Sequence, residues 1–286
     1  MPSPDTLGRE FAGIDHLDTA ETGRASTAAR VWAGAWPKLA ATVLLLGLWQ
    51  AVVWSGWRPP YVLPGPAAAL SAVWEGLRDG SLPAAFATTM SRATIGFAIA
   101  IVIGVALGLA VASVPWLRTA VGSLITGIQT MPSIAWFPLA ILLFQLSERA
   151  ILFVLVLGAA PAIANGLLHG IDHTPPLLHR AGRVLGASGL DRYRFVVLPA
   201  ALPGFVGGLK QGWAFAWRSL MAGELLVIIA ARPSLGTRLQ FAREFSDAEG
   251  LLATMLVILV IGIAVDALVF GRLEQAVRRR WGLLPT

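Results

Sequence analysis

Arg180-Ala-Gly-Arg-Val-Leu-Gly-Ala-Ser-Gly-Leu-Asp-Arg-Tyr-Arg-Phe-Val-Val-Leu-Pro199 is a basic, glycine-punctuated stretch set between two apolar runs. Arg180, Arg183, Arg192 and Arg194 are costly in hydrocarbon, so the stretch reads as a loop at the water interface between membrane spans. Just before it, Thr174-Pro175-Pro176 reads as a helix start: a hydroxyl cap, then prolines whose missing N–H costs nothing in a first turn. Leu177, Ala181, Val184, Leu185 and Ser188 then fall on one stripe, with His179, Arg180 and Arg183 off it, which predicts an amphipathic helix. Gly186 and Gly189 end that helix, Asp191 is placed to cap a second one, and Pro199 and Pro203 mark where the next apolar run begins. Two uses fit such a helix. It rests on anionic headgroups through its arginines, or it is a docking surface whose glycines admit a close partner and whose arginines pair with it directionally.

The flanking runs decide the class. Only 13% of the 286 residues are charged, about half the roughly 25% of soluble domains, and 56% are hydrophobic with a mean hydropathy of +0.70. This is the balance of a helical membrane protein. Lys38 to Arg58 encloses 19 uncharged residues, Arg92 to Arg118 encloses 25 and Arg149 to Asp172 encloses 22. Arg118 to Glu148 encloses 29, broken by Pro132 and Pro138, and reads as one kinked span. Two further spans cover roughly 200–230, interrupted by Lys210, Arg218 and Glu224, and roughly 250–271, interrupted by Asp266. The expected fold is all-α and polytopic, with about six transmembrane helices over 38–286. Residues 1–37, acidic at Asp5, Glu10, Asp15, Asp18 and Glu21, read as a largely disordered tail without a cleavable signal.

The excess of 22 Lys and Arg over 16 Asp and Glu sits at span ends rather than along one solvated stripe, which argues against a nucleic-acid partner. Arg24, Arg30 and Lys38, then the 179–194 segment, then Arg272 and Arg278 to Arg280 fall on one face of a six-span chain. The positive-inside rule makes that face cytoplasmic, with both termini. On the opposite face, Pro64-Gly-Pro66 followed by Ala67, Leu70, Val73, Trp74 and Leu77 predicts a short amphipathic helix. The absence of cysteine excludes disulfides and thiol chemistry. His16, His169, His173 and His179 lie in the tail or at the cytoplasmic end of the fourth span and not among acids within the membrane, so neither a metal site nor a catalytic one is expected.

Within the spans, Glu224 is expensive in hydrocarbon and is a candidate for a substrate pathway or gate, or else pairs with Arg218 or Lys210. Gln129, Thr130 and Ser133 flank Pro132, where a broken helix either exposes polar backbone to a cavity or merely kinks for packing. Arg218 joins these as a pathway candidate. Asn165 and Asp266 read as interhelical hydrogen-bonding groups, and Gly104 and Gly108 as a close-packing pair.

Arg180-Ala181-Gly182, three residues, Gly186, nine residues, then Val196-Val197-Leu198-Pro199 resembles the EAA signature of permease subunits of bacterial ABC importers, Glu-Ala-Ala, three residues, Gly, nine, Ile-x-Leu-Pro. Arg180 stands where that signature has Glu, and Gly182 where it has Ala. Arg92-Ala-Thr-Ile-Gly-Phe97, Gln129-Thr-Met-Pro-Ser-Ile-Ala-Trp-Phe-Pro-Leu139, Pro161-Ala-Ile-Ala-Asn165, Ala222-Gly-Glu224 and Ser234-Leu-Gly236 are similar in order to the branch that imports taurine, aliphatic sulfonates and nitrate. The resemblance implies a type I importer permease in the bacterial inner membrane. It also implies a dimer of two identical copies, with two cytoplasmic ATPase subunits that use ATP and Mg and a periplasmic or lipid-anchored binding protein. The 175–192 helix becomes a coupling helix, with Leu177, Arg180, Ala181, Gly182, Arg183, Leu185, Gly186, Ala187, Ser188, Leu198 and Pro199 at the ATPase contact. No G-x-x-x-x-G-K-[ST] loop occurs in the chain, so no enzymatic activity or bound cofactor is expected in it. A pyrimidine-type vitamin precursor is the alternative cargo, and an ATP-independent secondary transporter the alternative class; the latter would need more ion-coupling acids than Glu224 and Asp266.

Overall fold

The computed structural model describes residues 27–281, which are helical with no strand among them. The chain divides into two compact units, Met1–Arg58 and Pro59–Thr286. In the first, α1 (Thr27–Trp54) is one 28-residue helix whose apolar side chains from Leu39 to Leu48 are exposed, Leu44 at 73%. Part of the expected tail, from Thr27 to Pro37, therefore belongs to α1; its alanines favour helix, and residues 1–26 lie outside the described residues.

The second unit begins with α2 (Pro66–Arg78), the short amphipathic helix expected after Pro64-Gly-Pro66. Gly80, at φ +76, turns the chain into α3 (Ser81–Ser113), and the Asp79 carboxylate caps that helix by accepting from Ser81 N at 2.8 Å. The Ser81 side-chain and backbone hydrogen bonds hold the Asp79 carboxyl below the ordinary carboxylate pKa. After α3 come α4 (Pro115–Thr130), a 3₁₀ turn (Ser133–Trp136) and α5 (Phe137–Phe144). The break falls at Met131-Pro132. Pro138 breaks nothing, because it occupies the first turn of α5, where its absent N–H has no partner to lose.

The centre of the unit is α6 (Glu148–Asp172), packed between α3 and α9 (Leu198–Leu226). Both seams are lined by small residues. A Cβ at Gly104 would lie 2.7 Å from Ala160 O, and one at Gly108 3.2 Å from Ala164 O, which is the expected close-packing role. On the other side, a Cβ at Gly166 would lie 2.3 Å from Gly208 Cα, and one at Gly170 2.4 Å from Ala201 O. Backbones that approach this closely gain dispersion energy that lipid cannot match, since lipid offers no better hydrophobic refuge than another helix. Phe137, Ile151, Leu155, Ile163 and Leu220 complete a buried cluster, with Phe97 edge-on to Trp213 at 5.2 Å.

Between α6 and α9 run α7 (Pro176–Val184), α8 (Gly189–Arg192) and a π-helical segment (Tyr193–Val197). After α9 come α10 (Leu235–Glu244), α11 (Ala248–Val265), a second π segment (Asp266–Phe270) and α12 (Gly271–Arg280). Among the described residues, four helices are long and apolar enough to cross a membrane: Ala35–Trp54, Ser81–Ser113, Glu148–Asp172 and Ala248–Arg280. The sharply bent α4–α5 pair makes up to a fifth. The remaining expected span is α9. Its 29 residues exceed a hydrocarbon core of about 30 Å at about 1.5 Å per residue, though Lys210, Arg218 and Glu224 dilute its hydrophobicity.

Candidate functional site

Three sites emerge on the second unit. The first is α7 and its flanks. Leu177, Val184 and Leu185 are 72%, 87% and 85% exposed, so the apolar stripe points away from the protein, with exposed Arg180 and Arg183 beside it. The opposite side of the helix carries the buried Gly182, where a Cβ would meet Val196 Cγ2 at 2.8 Å. Glycine in place of alanine thus lets α7 lie against the π segment. At its end Gly186 adopts φ +82. Gly186 N donates to Arg183 O at 3.1 Å and Ala187 N to Gly182 O at 2.9 Å, a Schellman closure. Two expected caps fall elsewhere. Thr174 donates its hydroxyl back to Gly170 O while Pro175 holds the cap position, and Asp191 lies inside α8 instead of ahead of it. Ala187 is partly buried, while Ala181, Ser188, Leu198 and Pro199 are exposed.

The second site gathers most of the pathway candidates. Gln129, Thr130, Pro132, Ser133 and Arg218 line one pocket of about 270 Å³, walled by Ile128, Trp136, Leu157 and Phe215. The helix break at Pro132 supplies its polar rim. Asn165 on α6 orients Gln129 by donating to its Oε1 at 2.8 Å, the interhelical bond expected of Asn165. Arg218 lies 4.8 Å over the Phe215 ring and donates to Ala214 O, with no acidic partner among the described residues.

Glu224 stands apart in the third site. Its side chain is fully buried, and it pairs with Arg92 rather than with Arg218 or Lys210. Arg92 Nη1 donates to Glu224 Oε1 at 2.9 Å. Thr89 Oγ1 and Gly236 N donate to Oε2 at 2.9 and 3.0 Å. The Arg92 fork also grips Glu148 through Nε and Nη2, both at 2.7 Å, and Leu235 N donates to Thr89 Oγ1. Gly236 is required here, because a Cβ would lie 2.3 Å from Glu224 Cβ. Arg92 and Glu148 read in the sequence merely as ends of apolar runs. The signal for Arg92 was its place in Arg92-Ala-Thr-Ile-Gly-Phe97, which this one network draws together with Ala222-Gly-Glu224 and Ser234-Leu-Gly236; Glu148 lies in none of these stretches and carried no such signal.

Two further ion pairs link helices. Arg118 bonds Asp172, joining the start of α4 to the end of α6, and Lys210 Nζ lies 3.2 Å from Asp266 Oδ1, joining α9 to the second π segment. No cluster of metal-ligating side chains occurs among the described residues.

Comparison with known proteins agrees with this architecture. The chain is 29% identical over 228 residues to the taurine transport system permease protein TauC of Escherichia coli (strain K12), covering 78% of this chain and 82% of TauC. It is 30% identical over 248 residues to the riboflavin transport system permease protein RibX of Chloroflexus aurantiacus, covering 85% and 91%. The fold matches a chain of the MetNI methionine ABC transporter in an inward-facing conformation, with a TM-score of 0.57 at 22% identity over 66% of this chain and 93% of that one. Residues 100–279, from mid-α3 through the exposed α7 stripe to α12, match the binding-protein-dependent transport system inner membrane component, and the chain belongs to that family.

Proposed function

We propose that the chain is the membrane-spanning permease subunit of an ATP-driven importer for a small anion of the sulfonate, taurine or nitrate type. The observation that carries this reading is the outward-facing Leu177, Val184 and Leu185 stripe on a helix that is itself seated by Gly182. Exposed apolar surface rimmed by arginine is a partner's docking patch. The partner is a cytoplasmic ATPase, two copies of which bind and hydrolyse ATP with Mg. Two identical permease copies enclose the path, and a binding protein delivers cargo on the opposite face. Both termini are cytoplasmic in a bacterial inner membrane.

ATP-driven closure of the ATPases moves α7, and the short α7–π-segment contact passes that motion to α9. Arg218 in the polar pocket, lacking an internal carboxylate, supports an anionic cargo. The identity to RibX keeps a second cargo class in view, a vitamin-like heterocycle. The test is Leu185→Asp. Leu185 is 85% exposed, so the permease keeps its thermal stability while ATPase co-purification falls at least tenfold; unchanged co-purification refutes the docking assignment.

A further inference from the structure

Lys210 and Asp266 form an ion pair in the middle of apolar helices, yet they are 44% and 52% exposed. Charged side chains this exposed within apolar helices are costly against lipid, so they face water or a cavity. Both residues line a cavity of about 310 Å³ with Trp213, Trp217 and Arg218, and Arg218 also lines the polar pocket at the Pro132 break. Lys210 and Arg218 are eight residues apart on α9, hence on one face and about 12 Å apart along the helix. Asp266 reaches this face from a π segment, a distortion that re-aims side chains and recurs at functional positions. The charged lining is two cations and one carboxylate, so a single added negative charge balances it.

Resting on the importer reading above, we propose that Arg218 and Lys210 are successive oxyanion subsites on α9, and that Asp266 is a resident counter-ion that a small monoanionic oxyanion displaces from Lys210. A half-exposed pair is worth little in itself, so it yields readily to a ligand. Its presence when the site is empty keeps Lys210 from being an unpaired cation inside the membrane. The ligand class is a sulfonate or nitrate, whose oxygens accept from ammonium and guanidinium alike.

The sign of one substitution separates this role from a structural bridge. In the permease–ATPase complex, purified without binding protein and placed in phosphatidylcholine nanodiscs, methanesulfonate and nitrate are titrated while the emission of Trp213 and Trp217 is followed. Lys210→Gln weakens both anions about tenfold and Lys210→Arg restores them. Asp266→Asn tightens both about two- to fivefold, because the internal competitor is gone. Weakened or unchanged affinity in Asp266→Asn, or its failure to assemble, makes the pair a structural brace and overturns the proposal. Loss of the anion response when phosphatidylglycerol is added assigns the site to a lipid headgroup and overturns it too. A wild-type complex that assembles and hydrolyses ATP, but whose variants bind anions identically, sinks this inference alone. Failure of the wild type to hold an ATPase sinks the importer reading instead.

Discussion

Glu224→Gln tests whether the Arg92 network holds the permease together. The carboxylate accepts from Arg92, Thr89 and Gly236, and the isosteric amide cannot replace all three. With its oxygen toward Thr89 and Gly236, its NH₂ confronts the Arg92 guanidinium, donor against donor. With its oxygen toward Arg92, the NH₂ confronts Gly236 N–H. Either way a buried donor is left without an acceptor, at about 1–3 kcal/mol, and a charged hydrogen bond of about 1.5–3 kcal/mol is lost or weakened. The sum, about 2.5–6 kcal/mol, brackets the usual cost of about 3–5 kcal/mol for removing one partner from a buried ion pair. Arg92 keeps its two bonds to Glu148, which places the effect at the lower end. Thermal unfolding in detergent reads this directly: at about 2–4 °C per kcal/mol, the midpoint falls by roughly 6–12 °C. Glu148→Gln costs less, because Glu148 is 30% exposed and water replaces what it loses. A midpoint within 2 °C of wild type for Glu224→Gln would show that the buried carboxylate bears no load, and the network reasoning would fail.

Two other substitutions probe the coupling and packing assignments. Gly186→Val places a β-branched residue at φ +82, strains the Schellman closure by about 1–2 kcal/mol and lowers transport per ATP hydrolysed in proteoliposomes; unaltered coupling refutes the coupling role of α7 and its closing turn. Gly208→Val forces a side chain into Gly166 Cα, 2.6 Å from the Cβ position, and separates α6 from α9, read as loss of membrane-inserted permease on a blot; normal levels refute the glycine seam.

Much of the fold was legible because its rules are local. Twenty apolar residues can only be a span in a helical membrane protein, and the 177–188 periodicity placed an amphipathic helix of which Pro176–Val184 forms as α7, while Leu185 to Ser188 lie in the turn after it. The Pro132 break was read correctly, whereas Pro138, counted as a second break, sits in a first turn where proline is harmless. Thr174 and Asp191 show a similar limit. Both residue types cap helices, but which backbone N–H each meets depends on where the preceding helix ends, and α6 runs on far enough to give Thr174 a carbonyl of its own. Of the pathway candidates, four clustered around Pro132 because they are neighbours in sequence, and Arg218 joined them only through packing. Glu224 was read as too costly to stand unpaired in hydrocarbon, and it is paired, with Arg92 instead of the Arg218 or Lys210 named for it.

By itself, then, the amino-acid order determined the helical class, most of the apolar spans, the amphipathic helix and its glycine stop, since each rests on contacts within a few residues or on transfer from water to lipid. Only the tertiary structure decided that Glu224 answers Arg92, 132 residues away, that Arg218 opens onto the Pro132 pocket, and that Lys210 meets Asp266. Those pairings depend on the rotation and depth of each helix. Rotation and depth are set by where glycine-lined backbones interlock, a property of two helices together that neither one's periodicity contains.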